Sequence, residues 1–161
     1  MQPTIKLLPE KKLIGQHQRM SLLTNTTAAL WRSFRQRQQA QPFSGSTKYY
    51  SVQVYGPGYF NPFRPEVLFE KWAAVEMTQP VAIPPDLEIL TLPGGLYAVF
   101  LYQGPANAGD TVFSYILQEW LPASCYALDG RPHFEVLGEK YSNEDPASEE
   151  EIWIPIKLRS A

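Results

Sequence analysis

Two apolar runs in the last third of the chain decide how it folds: Phe134-Glu135-Val136-Leu137 and Glu151-Ile152-Trp153-Ile154-Pro155-Ile156. Their apolar and β-branched residues predict β-strands, and each run carries one carboxylate inside an apolar frame. Such a carboxylate either faces solvent, which is common, or is desolvated and available to a cation, which would make it part of a binding site. The function predicted for this chain depends on whether these carboxylates face solvent or are desolvated.

The composition is that of a globular protein with a sizeable core. The chain has 161 residues, of which 44% are hydrophobic and 13% aromatic, and this suits a single domain. The aromatic residues either fill the core or line a pocket, because aromatic faces bind flat and cationic ligands.

The charge, cysteine and histidine counts exclude several function classes. A net charge of -2 differs from that of free-standing nucleic-acid binders, which usually show a basic stripe. The single cysteine, Cys125, excludes an internal disulfide framework, and His17 and His133 do not have metal-ligand spacing. We therefore expect no metal, no cofactor and no direct nucleic-acid contact.

The chain shows no signal peptide and no run of about 20 apolar residues, so we expect a cytoplasmic protein that does not cross a membrane. With residues 1–161 committed to one fold, we also expect no room for a helix-turn-helix.

The first half of the chain is predicted to contain, in this order, a strand, a turn, a helix, a strand, a loop and a strand. Thr24 or Asn25 is predicted to cap the helix, because short polar side chains accept hydrogen bonds from the first free N–H groups. The predicted elements are a strand at 12–17, a helix from 23 to about 38, a strand at 50–55, a loop at 55–65 and a strand at 67–77.

The second half repeats this order after a Pro-rich connector at 79–85. Asp110 is predicted to cap the second helix and Pro122 to end it. Pro155 cannot donate a ladder hydrogen bond, which predicts that the last strand lies near an edge of the sheet or ends there. The predicted elements are a strand at 96–102, a turn at 103–109, a helix from 110 to about 121, a strand at 134–137, a loop at 139–148 and a strand at 150–158.

The matched order indicates a duplicated unit within one domain. We predict an internal pseudo-repeat of about 4–78 and 88–159 within a single domain of residues 1–161. The predicted fold class is α+β: two similar strand-helix-strand-strand units form an antiparallel sheet with helices on one face. A central ligand groove is expected near their junction, because junctions of this kind are favoured ligand sites.

Several segments from about Leu90 to the C terminus form an ordered set that is typical of one family. They are Leu90–Phe100, Gly104-Pro105, Glu119-Trp120-Leu121-Pro122, Ser124-Cys125-Tyr126, Arg131-Pro132-His133-Phe134-Glu135, Asp145-Pro146 and Glu151–Ile156. This set resembles the effector-binding domain of AraC-type regulators, also called the GyrI-like small-molecule-binding domain. The first half resembles that family mainly in layout.

The resemblance implies an antiparallel α+β fold with a central pocket that has an acidic floor and aromatic walls. It implies that Glu135 is the floor residue, that Glu151 and Trp153 belong to the last strand of the site, and that Tyr97 or Phe100 comes from the preceding strand. Bacterial members of this family include effector domains of transcription regulators, multidrug-binding proteins, gyrase inhibitors and hydrolases of strained cyclopropane-containing compounds.

The chain departs from the family at two positions. Many members have a tyrosine two residues after the floor glutamate, where this chain has Leu137, and this removes a hydroxyl partner. Many also have glycine where this chain has Cys125, which we expect to be a small buried thiol outside the pocket.

Strand alternation separates the candidate residues into faces. Phe134 and Val136 share one face, so if that face meets the helices, Glu135 points from the opposite face toward the groove. Glu151 and Trp153 share a face, where the indole either binds a cation or fills the core next to a surface glutamate.

The loop over residues 55–63 interleaves aromatic residues with Gly and Pro. Such loops either act as lids over a binding site or pack on the edge of the domain. The candidate ligand contacts in this loop are Tyr55, Tyr59 and Phe63.

Three functions remain open from the sequence. The first is binding of a lipophilic or cationic small molecule by a stand-alone effector-binding or sensing protein, with Glu135 as counter-charge. The second is hydrolysis of a strained electrophile, with Glu135 as general base or nucleophile. The third is interaction with a protein partner through the acidic stretch 139–151. No Gly-x-Ser-x-Gly nucleophile motif is present, so we expect binding rather than catalysis.

Overall fold

The computed structural model describes residues 1–40, 48–78, 82–105, 109–137 and 149–160. In chain order the elements are β1 (Thr4–Leu8), β2 (Lys11–Met20), α1 (Thr27–Ala40), β3 (Tyr49–Val54), β4 (Phe69–Glu76), β5 (Glu88–Leu92), β6 (Gly95–Gln103), α2 (Gly109–Tyr115), a π-helical stretch (Ile116–Trp120), α3 (Leu121–Ala123), β7 (Tyr126–Leu128), β8 (His133–Leu137) and β9 (Glu149–Leu158). The predicted antiparallel α+β class is confirmed.

Three strands, β1, β5 and β7, were not expected from the sequence. They are short, and β1 and β5 leave most residues exposed, so neither shows the apolar alternation that marks a half-buried strand. The expected loop at 139–148 lies outside the described residues.

The helix boundaries differ from the predictions in three places. The N-cap of α1 is Thr26, whose carbonyl accepts the first helical hydrogen bond from the Leu30 N–H at 3.1 Å, and the predicted Asn25 stands one residue earlier, where its Oδ1 accepts a hydrogen bond of 3.0 Å from the Thr27 N–H. The second helix begins at Gly109, so Asp110 lies inside its first turn rather than before it. Pro122 does not end the helix, because it stands in the first turn of α3, where a missing N–H is tolerated.

The strands follow the order β1-β6-β9-β8-β3-β4-β2-β5, with β7 beside β9. β9 is not itself an edge strand, because it lies between β6 and β8. Pro155 is tolerated there because pairing with β8 ends at Trp153, two residues earlier.

The sheet must curve back on itself, because strands distant in its order are neighbours in the chain. Only Pro9 and Glu10 separate β1 from β2, although a flat sheet would place these strands roughly 29 Å apart. Residues 4–8 pair with residues 95–99 and residues 11–15 with residues 88–92 in one common register, in which Leu8 pairs with Gly95 and Lys11 with Leu92. We call this two-stranded segment the closing ribbon.

The two faces of the sheet are covered in different ways. One face carries the helices: α1 packs with Ile14, Ala73 and Val75, and α2 and the π-helical stretch pack with Phe100 and Ile152. The other face encloses its own side chains, and the curvature leaves Leu13, Leu92 and Tyr97 0% exposed without a helix from the described residues. We call these the helix face and the inner face.

Arg131 fastens the end of the closing ribbon to β9. Its Nη2 donates to the Leu96 carbonyl at 2.7 Å and to the Ile156 carbonyl at 3.0 Å, and its guanidinium lies 4.7 Å from the centre of the Tyr97 ring. A Cβ on Gly95 would come within 2.5 Å of this guanidinium, and the φ of Gly95, +153°, is one that other residues rarely adopt.

We therefore expect Gly95→Ala to lower the free energy of unfolding by about 2 kcal/mol or more, through backbone strain and displacement of Arg131. Chemical denaturation monitored by circular dichroism measures this change. Gly130→Ala is the matched control, because its Cβ would meet no atom within 4 Å. Equal stability of the two variants would contradict the role given to Gly95.

Candidate functional site

A patch of buried polar side chains lies on the helix face at the centre of the sheet. Five of the six buried polar or charged residues in the described part of the chain belong to it. Direct pairing links these residues across three adjacent strands, because Ser51 pairs with Glu135 and Gln53 pairs with both Lys71 and His133. We call Ser51, Gln53, Lys71, His133 and Glu135 the polar patch.

The polar patch lies between the two helix-covered parts of the core. A single row of paired residues crosses the helix face, and Glu135 stands in the middle of it. The row is Phe100, Ile152, Glu135, Ser51 and Ala73. Phe100 and Ile152 pack beneath α2 and the π-helical stretch, and Ala73 packs beneath α1. The polar patch thus occupies the interval between the helices.

Glu135 has one satisfied and one open carboxylate oxygen. Its side chain is 8% exposed, and its Oε1 accepts a hydrogen bond of 3.3 Å from Gln53 Nε2. Its buried Oε2 receives no hydrogen bond from the described residues. Burial raises the pKa of Glu135, while the charge of Lys71 and the Gln53 hydrogen bond act in the opposite direction.

Lys71 brings a positive charge to the same patch. Burial lowers the pKa of Lys71, and the charges of Glu135 and Glu150 partly oppose this effect. β3 lies between β4 and β8, and Lys71 is in line with His133, two residues before Glu135, so the backbones of Lys71 and Glu135 lie about 12 Å apart. The patch therefore presents a cation and a carboxylate on either side of Gln53.

Aromatic side chains of the loop after β3 cover the His133 end of the polar patch. The ring centres of Tyr55 and Phe60 lie 4.9 Å and 5.5 Å from that of His133, and Tyr59 lies 4.4 Å from Tyr55. Burial lowers the pKa of His133 to about 3, so its imidazole is neutral at pH 7. Burial and the charge of Glu135 raise the pKa of Tyr55, which keeps its hydroxyl protonated.

Three of the residues that the sequence suggested lie on the inner face, away from Glu135. Trp153 donates from Nε1 to Glu151 Oε1 at 3.2 Å, and its ring centre lies 5.7 Å from that of Tyr97. Phe134 is stacked on Trp153 at 5.1 Å, so the Phe134 face points away from the helices. Contrary to the expectation from the sequence, the Phe134 face therefore does not meet the helices, and Glu135 lies on the helix face instead.

The remaining candidates are dispersed. Phe100 is on the helix face but packs against Trp120, with ring centres 5.1 Å apart, inside the core under the π-helical stretch. Phe63 is 51% exposed at the outer end of the aromatic loop. Cys125 is exposed, so the expectation of a buried thiol is wrong.

Sequence reasoning missed Ser51, Gln53, Lys71 and His133 as members of one patch. A signal existed on each strand, since Ser51 and Gln53, like His133 and Glu135, are polar residues two apart within apolar runs. What the sequence lacks is the register that brings β3, β4 and β8 together.

Other site types are not found in the described ranges. They contain no group of three or more residues suited to hold a metal ion, and none of their helices has the length and apolar composition needed to span a membrane. A cavity of about 220 Å³ is lined by Met1, Thr111, Val112 and Tyr115 and shares no residue with the polar patch.

Comparison with known proteins identifies the family. The model of the GyrI-like small-molecule-binding domain matches residues 1–157. The chain belongs to this family. No curated protein matches the sequence.

Solved structures with the same fold cover nearly the whole chain. SAV2435 bound to tetraphenylphosphonium has 18% identity and a TM-score of 0.68, with 98% of this chain and 94% of that chain covered. The EcmrR C-terminal domain has 13% identity and a TM-score of 0.73, with 98% of both chains covered.

A third structure, a hydrolase encoded by lin2189 from Listeria innocua, has 10% identity and a TM-score of 0.57, with 97% of this chain and 92% of that chain covered. Identities this low show the shared fold and no more.

Glu150, on β9, interacts electrostatically with Glu135 and Lys71 of the polar patch. It pairs with Leu137 and with Tyr102, which places it next to the patch on the helix face. Burial, and then the charge of Glu135, raise the pKa of Glu150 from 4.5 to about 7, against the effect of Lys71. A carboxyl whose pKa is raised by folding favours the folded state below its unfolded pKa and loses that contribution as the pH rises toward its folded pKa.

We therefore expect Glu150→Gln to match the wild type in stability near pH 4.5 and to be more stable at pH 8, by about 1–3 kcal/mol. Urea denaturation of both proteins from pH 4.5 to pH 8 measures the difference. His133 titrates equally in both proteins, so its contribution cancels in this comparison. A difference that does not change with pH would contradict the raised pKa.

Proposed function

We propose that this chain is a small-molecule-binding or sensing protein that takes a lipophilic cation at the polar patch, with Glu135 as the counter-charge. The observation that carries the proposal is a buried carboxylate whose Oε2 lacks a donor among the described residues. A desolvated carboxylate with an open acceptor favours a ligand that brings positive charge and hydrogen-bond donors.

The charges of the patch fit a single added cation. When all three side chains are ionised, Lys71 supplies one positive charge and Glu135 and Glu150 supply two negative charges. A monovalent cation would balance the cluster, and in a site of low dielectric constant the balance would contribute more than it does in water. Apolar contact with the ligand would come from Tyr55 and Tyr59 at the covered end.

Entry of a ligand would require movement of the covering loop. Glu135, Lys71 and His133 are each less than 9% exposed, and the rings of Tyr55 and Phe60 lie against His133. We assign the loop at 55–63 the role of a lid, because it connects β3 and β4 and contacts His133 through Tyr55 and Phe60.

The family assignment supports the part of this proposal that concerns small-molecule binding. Its description is a small-molecule-binding domain, and SAV2435 was solved with a lipophilic cation, tetraphenylphosphonium. A role in transcription regulation or multidrug sensing would follow from this binding activity and is part of the same proposal.

We expect Glu135→Gln to weaken binding of tetraphenylphosphonium about tenfold or more, because the amide removes the counter-charge and keeps the shape. Isothermal titration calorimetry measures the affinity, and quenching of tryptophan fluorescence gives an independent readout.

Glu151→Gln is the matched control, since it makes the same change on the inner face. If Glu151→Gln abolished binding while Glu135→Gln did not, the ligand site would lie on the inner face.

Hydrolysis is the second candidate function. Burial raises the pKa of Glu135, which is the direction that a carboxyl acting as general acid requires, and the neutral imidazole of His133 lies on the same face two residues earlier. Incubation of the protein with strained cyclopropane-containing esters, followed by mass spectrometry, tests for turnover. Tight reversible binding of these compounds without product would count against catalysis.

A further inference from the structure

We propose that the ligand of the polar patch is a cation that donates hydrogen bonds, such as a primary or secondary ammonium or an amidinium, and that Gln53 and Glu135 receive two of its N–H groups. This inference rests on the proposed function and specifies its ligand class. It adds Gln53 as a residue that determines specificity.

Two adjacent side chains of the polar patch each carry a hydrogen-bond acceptor that has no donor among the described residues. Gln53 Oε1 and Glu135 Oε2 are buried, and neither receives a hydrogen bond from the described residues. The two side chains are joined by the hydrogen bond from Gln53 Nε2 to Glu135 Oε1. Buried acceptors without donors are rare in folded proteins, and two of them on side chains that are hydrogen-bonded to each other indicate a place for a partner with two donors.

The orientation of the Gln53 amide follows from its neighbour. A carboxylate accepts hydrogen bonds only, so the Gln53 NH₂ group must face Glu135. The opposite orientation would place two oxygen atoms against each other. Gln53 Oε1 is therefore held as an acceptor beside the open oxygen of Glu135, whichever ligand is present.

Lys71 is poorly suited to fill both positions itself. It pairs with Gln53 from β4, on the side away from β8, and burial lowers its pKa. A ligand cation that brings charge without hydrogen-bond donors would leave both acceptors unsatisfied and would therefore bind more weakly than one with N–H groups. A quaternary onium ion has no N–H group and falls in that category.

The test compares two ligands with the same ring, linker and charge: 2-(1-naphthyl)ethylammonium, whose nitrogen carries three N–H groups, and its N,N,N-trimethyl derivative, which carries three methyl groups instead. Calorimetry on the wild-type protein at pH 7 gives both dissociation constants. We expect the primary ammonium to bind at least about tenfold more tightly, because hydrogen bonds to charged groups contribute about that much. This comparison needs no variant, so it does not depend on how a mutant folds.

Gln53→Met then removes the second acceptor at similar volume, and it should reduce the preference for the primary ammonium to about threefold or less. Gln16→Met is the matched control: Gln16 also lies on the helix face with a buried, open Oε1, but it is three strands from Glu135. It should keep the wild-type preference. Melting temperatures of both variants check that they fold.

The outcomes separate this inference from the proposed function. If both ligands bind equally and both lose affinity in Glu135→Gln, the proposed function stands and the hydrogen-bonding inference is overturned. If neither ligand binds, or if Glu135→Gln changes neither affinity, both are overturned. A preference that is the same in Gln53→Met and Gln16→Met would overturn the role of Gln53.

Discussion

The pairing of residues 4–15 with residues 88–99 in one common register is the constraint on which the rest of the structure depends. It links strands that stand far apart in the sheet order, so the sheet has to curve until its inner face is enclosed. The apolar side chains of that face, Tyr97 and Leu13 among them, are buried by the sheet itself. Both helix-covered clusters can then lie on the outer side, with an interval between them.

That interval is where the polar patch lies, and its position explains how charged groups are buried at the centre of a sheet. Burying Lys71 and Glu135 costs free energy, and each lowers the cost for the other across β3. Gln53 joins the two sides by its hydrogen bond to Glu135. The compensation is incomplete because Glu135 Oε2 receives no hydrogen bond from the described residues. This unsatisfied acceptor is the physical basis of the proposed cation site.

The repeated Glu-x-Trp segments illustrate why a sequence pattern can point to the wrong face. In both, the indole N–H donates to the glutamate two residues earlier: Trp72 to Glu70 and Trp153 to Glu151. Side chains two apart on a strand share a face, so this bond forms locally and keeps the glutamate beside its own tryptophan. The pattern thus satisfies a buried indole on the inner face, while the carboxylate of the polar patch comes from β8.

The sequence by itself determined the properties that depend on near neighbours. Strand alternation predicted most strands and the separation of Glu135 from Phe134, short polar residues predicted the start of α1 to within one residue, and the ordered motifs predicted the family. Only the tertiary structure decided which face of the sheet meets the helices and which side chains join Glu135. Gln53 and Lys71 precede Glu135 by more than sixty residues in the chain, and the register that aligns β4, β3 and β8 is set by packing of the whole sheet. A local pattern carries no information on that register, because shifting one strand by one residue would exchange its two faces without altering the sequence.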